Sequence, residues 1–421
     1  MKRRISLLLV MPLMLAFSAL HAEETLTWQQ CIAETKQAHP DLYSALASIQ
    51  QAEADKSITG SALLPKLTSS ISAQREGTTD NGGSSYSSYS YSLNARQLLF
   101  DGHKISSQVS GNEESIKAAR FNFSTVSAAV RYALRSAFVQ LLKAQDLVGL
   151  TREIADRRSR NFRLINLRYK GGREHSGSLA QAQADLEQAQ FEVAQAERGL
   201  LLAQSKLASA LGRNVRSPLR ISAAYTTSFS SEGKPDFANL ARNNPSFQQL
   251  EAKARTAHFE LDAAKSAFYP ELYLSSSAGR STIDITPFDA LDWNAGLTLS
   301  VPIYEGGAGK ARVSRARAVV SQQNAEVKSG YLQILDTLEE SWKNYQDAVQ
   351  AVSVKKKYLA AAMERSTIAN AQYSNGLVSF NEWVIIENNL VSAKKDYLNA
   401  EANLLIAEAQ WIQAKGGGLD G

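Results

Sequence analysis

The chain is written twice. The stretch HPDLYSALASIQQAEADKSITGSALLPKL, beginning at His39, is matched by NPSFQQLEAKARTAHFELDAAKSAFYPEL, beginning at Asn244. In each copy two prolines stand 25 residues apart, Pro40 and Pro65 in one, Pro245 and Pro270 in the other. Phe100-Asp101-Gly102 returns 204 residues later as Tyr304-Glu305-Gly306, and RYKGG, ending at Gly172, returns at the same offset as QYSNG, ending at Gly376. An internal repeat of this kind restricts the fold to two copies of one supersecondary pattern.

The second copy also preserves a heptad. Leu179, Ala182, Leu186, Ala189, Val193, Ala196, Leu200, Ala203, Leu207 and Ala210 alternate large and small at steps of 3 and 4. The same offset gives Trp383, Ile386, Leu390, Ala393, Tyr397, Ala400, Leu404, Ala407, Trp411 and Ala414. A sustained 3,4 spacing keeps one seam against a partner helix, and alanine at alternate positions lets the two axes approach closely. Proline-free stretches at 104–168 and 308–372 predict two helices of about 65 residues, each roughly 100 Å long at 1.5 Å per residue. Shorter helices are expected at 27–60, 178–211 and 236–267, so that a short pair stacked end to end matches one long helix.

Between the first helix and the long one, each copy carries two alternating segments. Tyr89, Tyr91, Leu93 and Ala95 share one face, with Ser88, Ser90, Ser92 and Asn94 on the other. Trp293, Ala295, Leu297, Leu299 and Val301 likewise oppose Asn294, Gly296, Thr298 and Ser300. Strands are expected at about 66–76, 88–100, 271–281 and 291–303. Apolar outward and small-polar inward over ten residues suits a transmembrane barrel, and a soluble hairpin shows the same alternation. Four strands do not close a barrel, so strands in a membrane require several copies to share one.

The N-terminus, MKRRISLLLVMPLMLAFSALHA, reads as a secretory signal peptide: three basic residues, an apolar stretch too short to span comfortably, and a cut after Ala22. Its removal lowers the formal net charge of +5 to about +2, which argues against a nucleic-acid binder. Cys31 is the one cysteine and is expected as a small buried side chain. The chain thus divides into a leader 1–22, a first repeat 23–212, a linker 213–235, a second repeat 236–415 and a flexible tail 416–421.

Catalytic and cofactor chemistry finds no support. PIYEGGAGKAR, from Pro302, has Ala311 where a phosphate loop needs Ser or Thr, and Tyr304 where it needs its first glycine. His39, His103, His175 and His258 lie far apart, and no metal-ligand or nucleophile-elbow spacing occurs. Lys355-Lys356-Lys357 reads as a solvated helix face. No enzyme activity, cofactor or metal is expected.

On the tandem repeat, the FDG and YEGG junctions and the YKGG and YSNG turns, the chain resembles the TolC-like outer-membrane efflux proteins over about residues 25–415. The resemblance implies a mainly α fold with a small β part: a long coiled-coil α-barrel joined to a shared trimeric transmembrane β-barrel. It implies a homotrimer in outer-membrane lipid that extends into the periplasm and docks with a periplasmic adaptor and an inner-membrane pump of RND or ABC type. The function implied is the outer-membrane channel of a tripartite efflux or type I secretion system. The alternative is a soluble periplasmic coiled-coil scaffold or adaptor. By the same resemblance Gly102 and Gly306 mark strand-to-helix junctions, Gly172 and Gly376 are turns where an adaptor docks, and Tyr373 and Glu382 belong to the pore gate. The match is incomplete: Val378 stands where the family has arginine, Ser178 where it has aspartate, and Ile385 where it has a second acidic ring. Glu382 also fits a helix-start charge favoured by the helix dipole. The loops at 77–87 and 282–290 are expected outside the cell.

Overall fold

The computed structural model describes residues 24–78, 85–225, 233–283 and 291–420. The expected leader, the cut before Glu23, the loop tip at Gly82, residues 284–290 and the middle of the linker lie outside them. The chain forms two compact units, one of residues up to Glu34 with Ala137–Ala224, the other of Thr35–Ser136 with Tyr225 onwards. Neither is a single sequence repeat, because the helix α3 (Lys104–Lys170) contributes its first half to one and its second half to the other.

In the first unit, β1 (Glu24–Leu26) pairs in parallel with β4 (Leu219–Ile221), a pairing that no sequence periodicity announces. The helix α1 (Trp28–Ala38) begins here, and α4 (Ser176–Ala210) buries Ala182, Ala189, Ala196, Ala203 and Leu207, five positions of the expected seam. Trp28 meets Phe138 edge-on at 5.6 Å. Cys31 is fully buried beside Arg213 and Glu34, and burial pushes its thiol up to about 12, which leaves it an unreactive packing group.

Arg213 closes this unit. Gly212, at φ 82°, turns the chain out of α4 so that the Arg213 amide bonds the Ala208 carbonyl at 2.9 Å. Its guanidinium then donates to both oxygens of Glu24, at 2.6 and 3.1 Å, and to Glu34. The hydrogen bond from Arg213 holds the Glu24 carboxyl below its ordinary value of 4.5. A depressed folded-state value means that the clasp contributes fully above the ordinary carboxylate range and is lost as pH falls through the folded value. Protection from hydrogen exchange at 24–34, relative to the unfolded-chain rate at each pH, should therefore hold from neutral pH down to about pH 5 and fall below about pH 4. Arg213→Met should show the low protection already at neutral pH; full protection in that variant would show that the strand pair holds without the clasp.

The second unit carries α2 (Pro40–Ser61), α5 (Phe237–Arg242), α6 (Pro245–Ser266), α7 (Ala308–Ser374), α8 (Phe380–Ala414) and four strands. The expected helices 27–60 and 236–267 are each broken in two. His39 and Asn244, immediately before prolines, are extended (ψ 123° and 130°), because a proline ring disfavours the α region in the preceding residue. Both then cap the next helix, accepting from Asp41 N and Ser246 N. Phe237 packs edge-on to Trp411 at 6.4 Å, and Trp342 lies 5.2 Å from Trp411, the centre of a core that includes Leu338 and Tyr345. The α8 seam is broader than the heptad: Glu387, Leu398, Ala402, Leu405 and Ala409 are buried as a second stripe.

The tail, expected to be flexible, is packed. Asn244 Nδ2 donates to the Ala414 carbonyl at 2.8 Å, Gly416 turns at φ 82°, and Leu419 is buried beside Leu42, Leu46 and Phe123. Leu419 N donates to Ser127 Oγ at 3.0 Å, and Lys36 pairs with Asp420 at 2.5 Å. Three glycines in a row suggested freedom, but they are what lets the backbone lie against Pro245 and Ser127. Burying a leucine is worth about 1.5–3 kcal/mol. Leu419→Asp should lower the thermal midpoint by several degrees, and an unchanged midpoint would show that the tail carries no stability.

Candidate functional site

The four-stranded sheet runs β2-β3-β5-β6, with β2 (Lys66–Gly77), β3 (Ser85–Phe100), β5 (Glu271–Ile283) and β6 (Asp292–Ser300). All pairings are antiparallel, and the central pair, β3 with β5, joins the two repeats. Register sorts the side chains into two faces. Ser69, Leu93, Ala278 and Trp293 form one row across all four strands, and Leu67, Ala95, Ser276 and Ala295 the next. The opposite face carries Thr68, Asn94, Ser277 and Asn294 in one row. Its hydroxyls satisfy one another: Ser70 bonds Ser92 at 2.8 Å, Ser72 bonds Ser90 at 2.7 Å, and Asn294 donates to Ser277 at 2.7 Å.

The apolar face is bare. Trp293 is 74% exposed, Leu297 66% and Leu299 62%. The outer edges of β2 and β6 pair with no strand among the described residues. The last strand stops at Ser300, short of the expected 303, where Pro302 cannot donate to a ladder.

Each hairpin enters its long helix through left-handed backbone. At the first junction Gly102 (φ 64°) and His103 (φ 67°) turn the chain, and buried Asp101 accepts from Ile105 N at 2.7 Å, capping α3. A Cβ on Gly102 would overlap Tyr269, so the position admits only glycine. At the second, Gly306 (φ 61°) and Gly307 (φ 89°) turn into α7, and Glu305 pairs with Arg312 at 3.0 Å instead of capping. This glycine cluster is a strand-to-helix bend.

The helix hairpins end in the same local motif. Gly172 (φ 69°) follows α3, with Arg173 N bonding Arg168 O at 2.8 Å and Gly172 N bonding Tyr169 O at 3.0 Å. Gly376 (φ 74°) follows α7, with Leu377 N on Gln372 O at 2.9 Å and Gly376 N on Tyr373 O at 3.0 Å. Both are Schellman turns, which need a left-handed residue at that position. Nothing lies within 4 Å of where a Cβ would stand on either glycine.

On either side of Gly376 the expected gate residues part company. Tyr373 is 1% exposed and stacks on Trp383, ring centroids 4.6 Å apart and planes 7° apart, with Phe380 at 6.4 Å. It is a packing residue of the α7–α8 hairpin. Glu382 is exposed in the first turn of α8, where Ser379 Oγ accepts from its amide at 3.2 Å, and Ile385 one turn on is exposed too. Beneath them lies a polar network that no motif indicated. Trp383 Nε1 donates to Asn370 Oδ1 at 2.9 Å, Asn370 donates to the Ser366 carbonyl at 2.8 Å, and Ser366 Oγ donates to buried Glu387 at 2.6 Å. Mid-helix polar residues on a buried stripe were the available signal.

No helix among the described residues is long and apolar enough to cross a membrane, and no three His, Cys, Asp or Glu side chains among them gather as metal ligands. The profile of the family described as "Outer membrane efflux protein" matches residues 31–213 and 238–417, one match to each repeat.

This chain belongs to the outer membrane efflux protein family.

Membership places it in the outer membrane and makes it an efflux protein; the relatives it matches are efflux and export proteins. It is 22% identical to the cation efflux system protein CusC of Escherichia coli K12 over 400 residues, 92% of this chain and 86% of CusC. To the pyoverdine export outer membrane protein OpmQ of Pseudomonas aeruginosa it is 23% identical over 397 residues, 90% of this chain and 82% of OpmQ. A crystal structure of CusC superposes with a TM-score of 0.84 at 19% identity, covering 92% of this chain and 91% of CusC. The open-state MtrE outer membrane channel of Neisseria gonorrhoeae gives 0.82 at 20% identity, over 93% of this chain and 89% of MtrE. The mainly helical efflux-protein fold with a small sheet, expected from the repeat and the alternating strands, is the fold observed.

Proposed function

We propose that this efflux protein is the channel component of a tripartite efflux or type I secretion system, working as a homotrimer whose strands share one barrel. The observation that carries this is the sheet: one bare apolar face, one serine-rich face and two unpaired edges. Open edges are not tolerated in lipid. Three copies would supply twelve strands from four each, with the apolar face to lipid and the serine face to a water-filled pore. The exposed Trp293, Leu297 and Leu299 disfavour the alternative of a soluble scaffold, which would leave that patch in water. An adaptor would dock at the open turns of Gly172 and Gly376, and an RND or ABC pump would supply the energy. The domain limits 23–212 and 236–415 stand as the proposed repeats. The cargoes of CusC and OpmQ differ, so cargo here follows from the pump.

Purified protein should run as a stable trimer and give discrete conductance steps in planar bilayers; a monomer that conducts nothing would overturn the proposal. Within it, exposed Glu382 contributes one carboxylate per chain to a ring at the gate, attracting cations and binding multivalent ones. Glu382→Gln should leave the trimer folded, since a helix-start charge is worth only about 0.3–1 kcal/mol. It should reduce cation preference and weaken block by divalent cations. Unchanged selectivity and block would return Glu382 to the role of a helix-start charge.

A further inference from the structure

We propose that Lys66 and Arg96 form an anion-binding band on the pore wall at the helix-side end of the strands, which retains solutes carrying phosphate or carboxylate groups. The inference rests on the pore assigned above. Lys66 in β2 and Arg96 in β3 are directly opposite in register, on the face that carries Thr68 and Asn94. Like charges directly opposite are destabilising, and Arg96 is partly offset by the Tyr273 ring and the nearby Glu271 charge. Neither side chain has an ion-pair partner among the described residues. Arg96 instead lies over the ring of Tyr273, its Cζ 4.0 Å from the centroid. The Tyr273 hydroxyl donates to Glu271 at 2.9 Å, and Lys104 approaches the other oxygen of Glu271 at 3.3 Å, so that carboxylate is already occupied. The stack fixes the guanidinium plane and leaves its outer edge to a ligand, the geometry in which guanidinium grips oxyanions.

The other acids of this face, Glu76 and Asp292, stand near the opposite end of their strands, across rows of neutral serine, threonine and asparagine. Two cations per chain give six in a trimer. Their field reaches about 8 Å at physiological ionic strength. The band is therefore a local binding feature of the wall rather than a barrier across the whole lumen.

The test uses the full-length protein in planar bilayers at about 0.1 M KCl, where the Debye length is about 10 Å, with inorganic tripolyphosphate added. Wild type should show reversible block that fades towards 1 M salt, where screening shortens to about 3 Å. The K66Q/R96Q double variant should need roughly ten-fold more tripolyphosphate, as expected when close charge attraction is removed. Arg96→Lys, which keeps the charge but loses the stacked fork, should give a block between those of wild type and the double variant. Should the double variant fail to assemble, Lys66→Gln alone, at an exposed side chain without a partner, should still weaken block. Conducting variants blocked like wild type would overturn the anion band and leave the pore intact. A wild type that conducts nothing would overturn the pore itself, and the band with it.

Discussion

Gly376→Trp is expected to abolish export while leaving the protein folded, trimeric and able to conduct. Gly376 holds φ 74°, and a side chain there costs about 1–2 kcal/mol in left-handed backbone. That is small for a chain of this size. No atom lies within 4 Å of the position a Cβ would take, and neighbouring Leu377 is 73% exposed, so an indole would project into open space. Its cost then falls on whatever packs against the turn from outside. Gly376→Ala should show the backbone term alone, with export reduced only modestly. Export assays in cells, paired with conductance of the purified variant, separate the two. Normal export by Gly376→Trp would remove this turn from the docking surface, and a variant that neither folds nor conducts would place the damage in the hairpin.

The second large effect is expected at Trp383. Its ring is 2% exposed, stacked on Tyr373 and tied to Asn370 by its indole N–H. Trp383→Ala removes the stack and opens a cavity, which costs about 3–5 kcal/mol. It also strips Asn370 Oδ1 of its donor, above a buried carboxylate, Glu387, that depends on Ser366 and Asn370 for hydrogen bonds. Hydrogen exchange over 366–390 should accelerate by two orders of magnitude or more, since each 1.36 kcal/mol is about ten-fold, while the sheet remains protected. Trp383→Phe keeps an aromatic ring in the stack but leaves part of the indole space empty and Asn370 Oδ1 without this donor, so it should cost less than alanine, about 1–3 kcal/mol. Native protection in Trp383→Ala would show that the hairpin near Gly376 is held by something other than this stack. The same stack makes Tyr373 a packing residue of the hairpin that carries Glu382.

What was legible in the sequence is what local period encodes. A 3,4 alternation fixes which face of α4 and α8 is buried whatever lies opposite, and Ala182, Ala189, Ala196 and Ala203 are buried accordingly. Period two fixes the two faces of β3 and β6, and glycine after an acidic residue fixes the two junctions, because few other residues hold the positive φ found at Gly102 and Gly306. Pro40 and Pro245 also spoke locally, but helical period on either side concealed the extended residue each one forces. The pairing of β1 with β4 joins residues nearly two hundred positions apart through three-residue strands, too short to carry a period. The seat of Leu419, the second stripe of α8 and the stack of Tyr373 on Trp383 depend on which neighbour arrives, and spacing says nothing about a neighbour's identity. The sequence alone determined the duplication, the helix seams, the amphipathic strands and the bends between them, since each is a property of a face or a dihedral angle. Only the tertiary structure decided that the tail is anchored, that Tyr373 is core and Glu382 surface, and that Lys66 faces Arg96, since each of these is a long-range meeting fixed by packing and register.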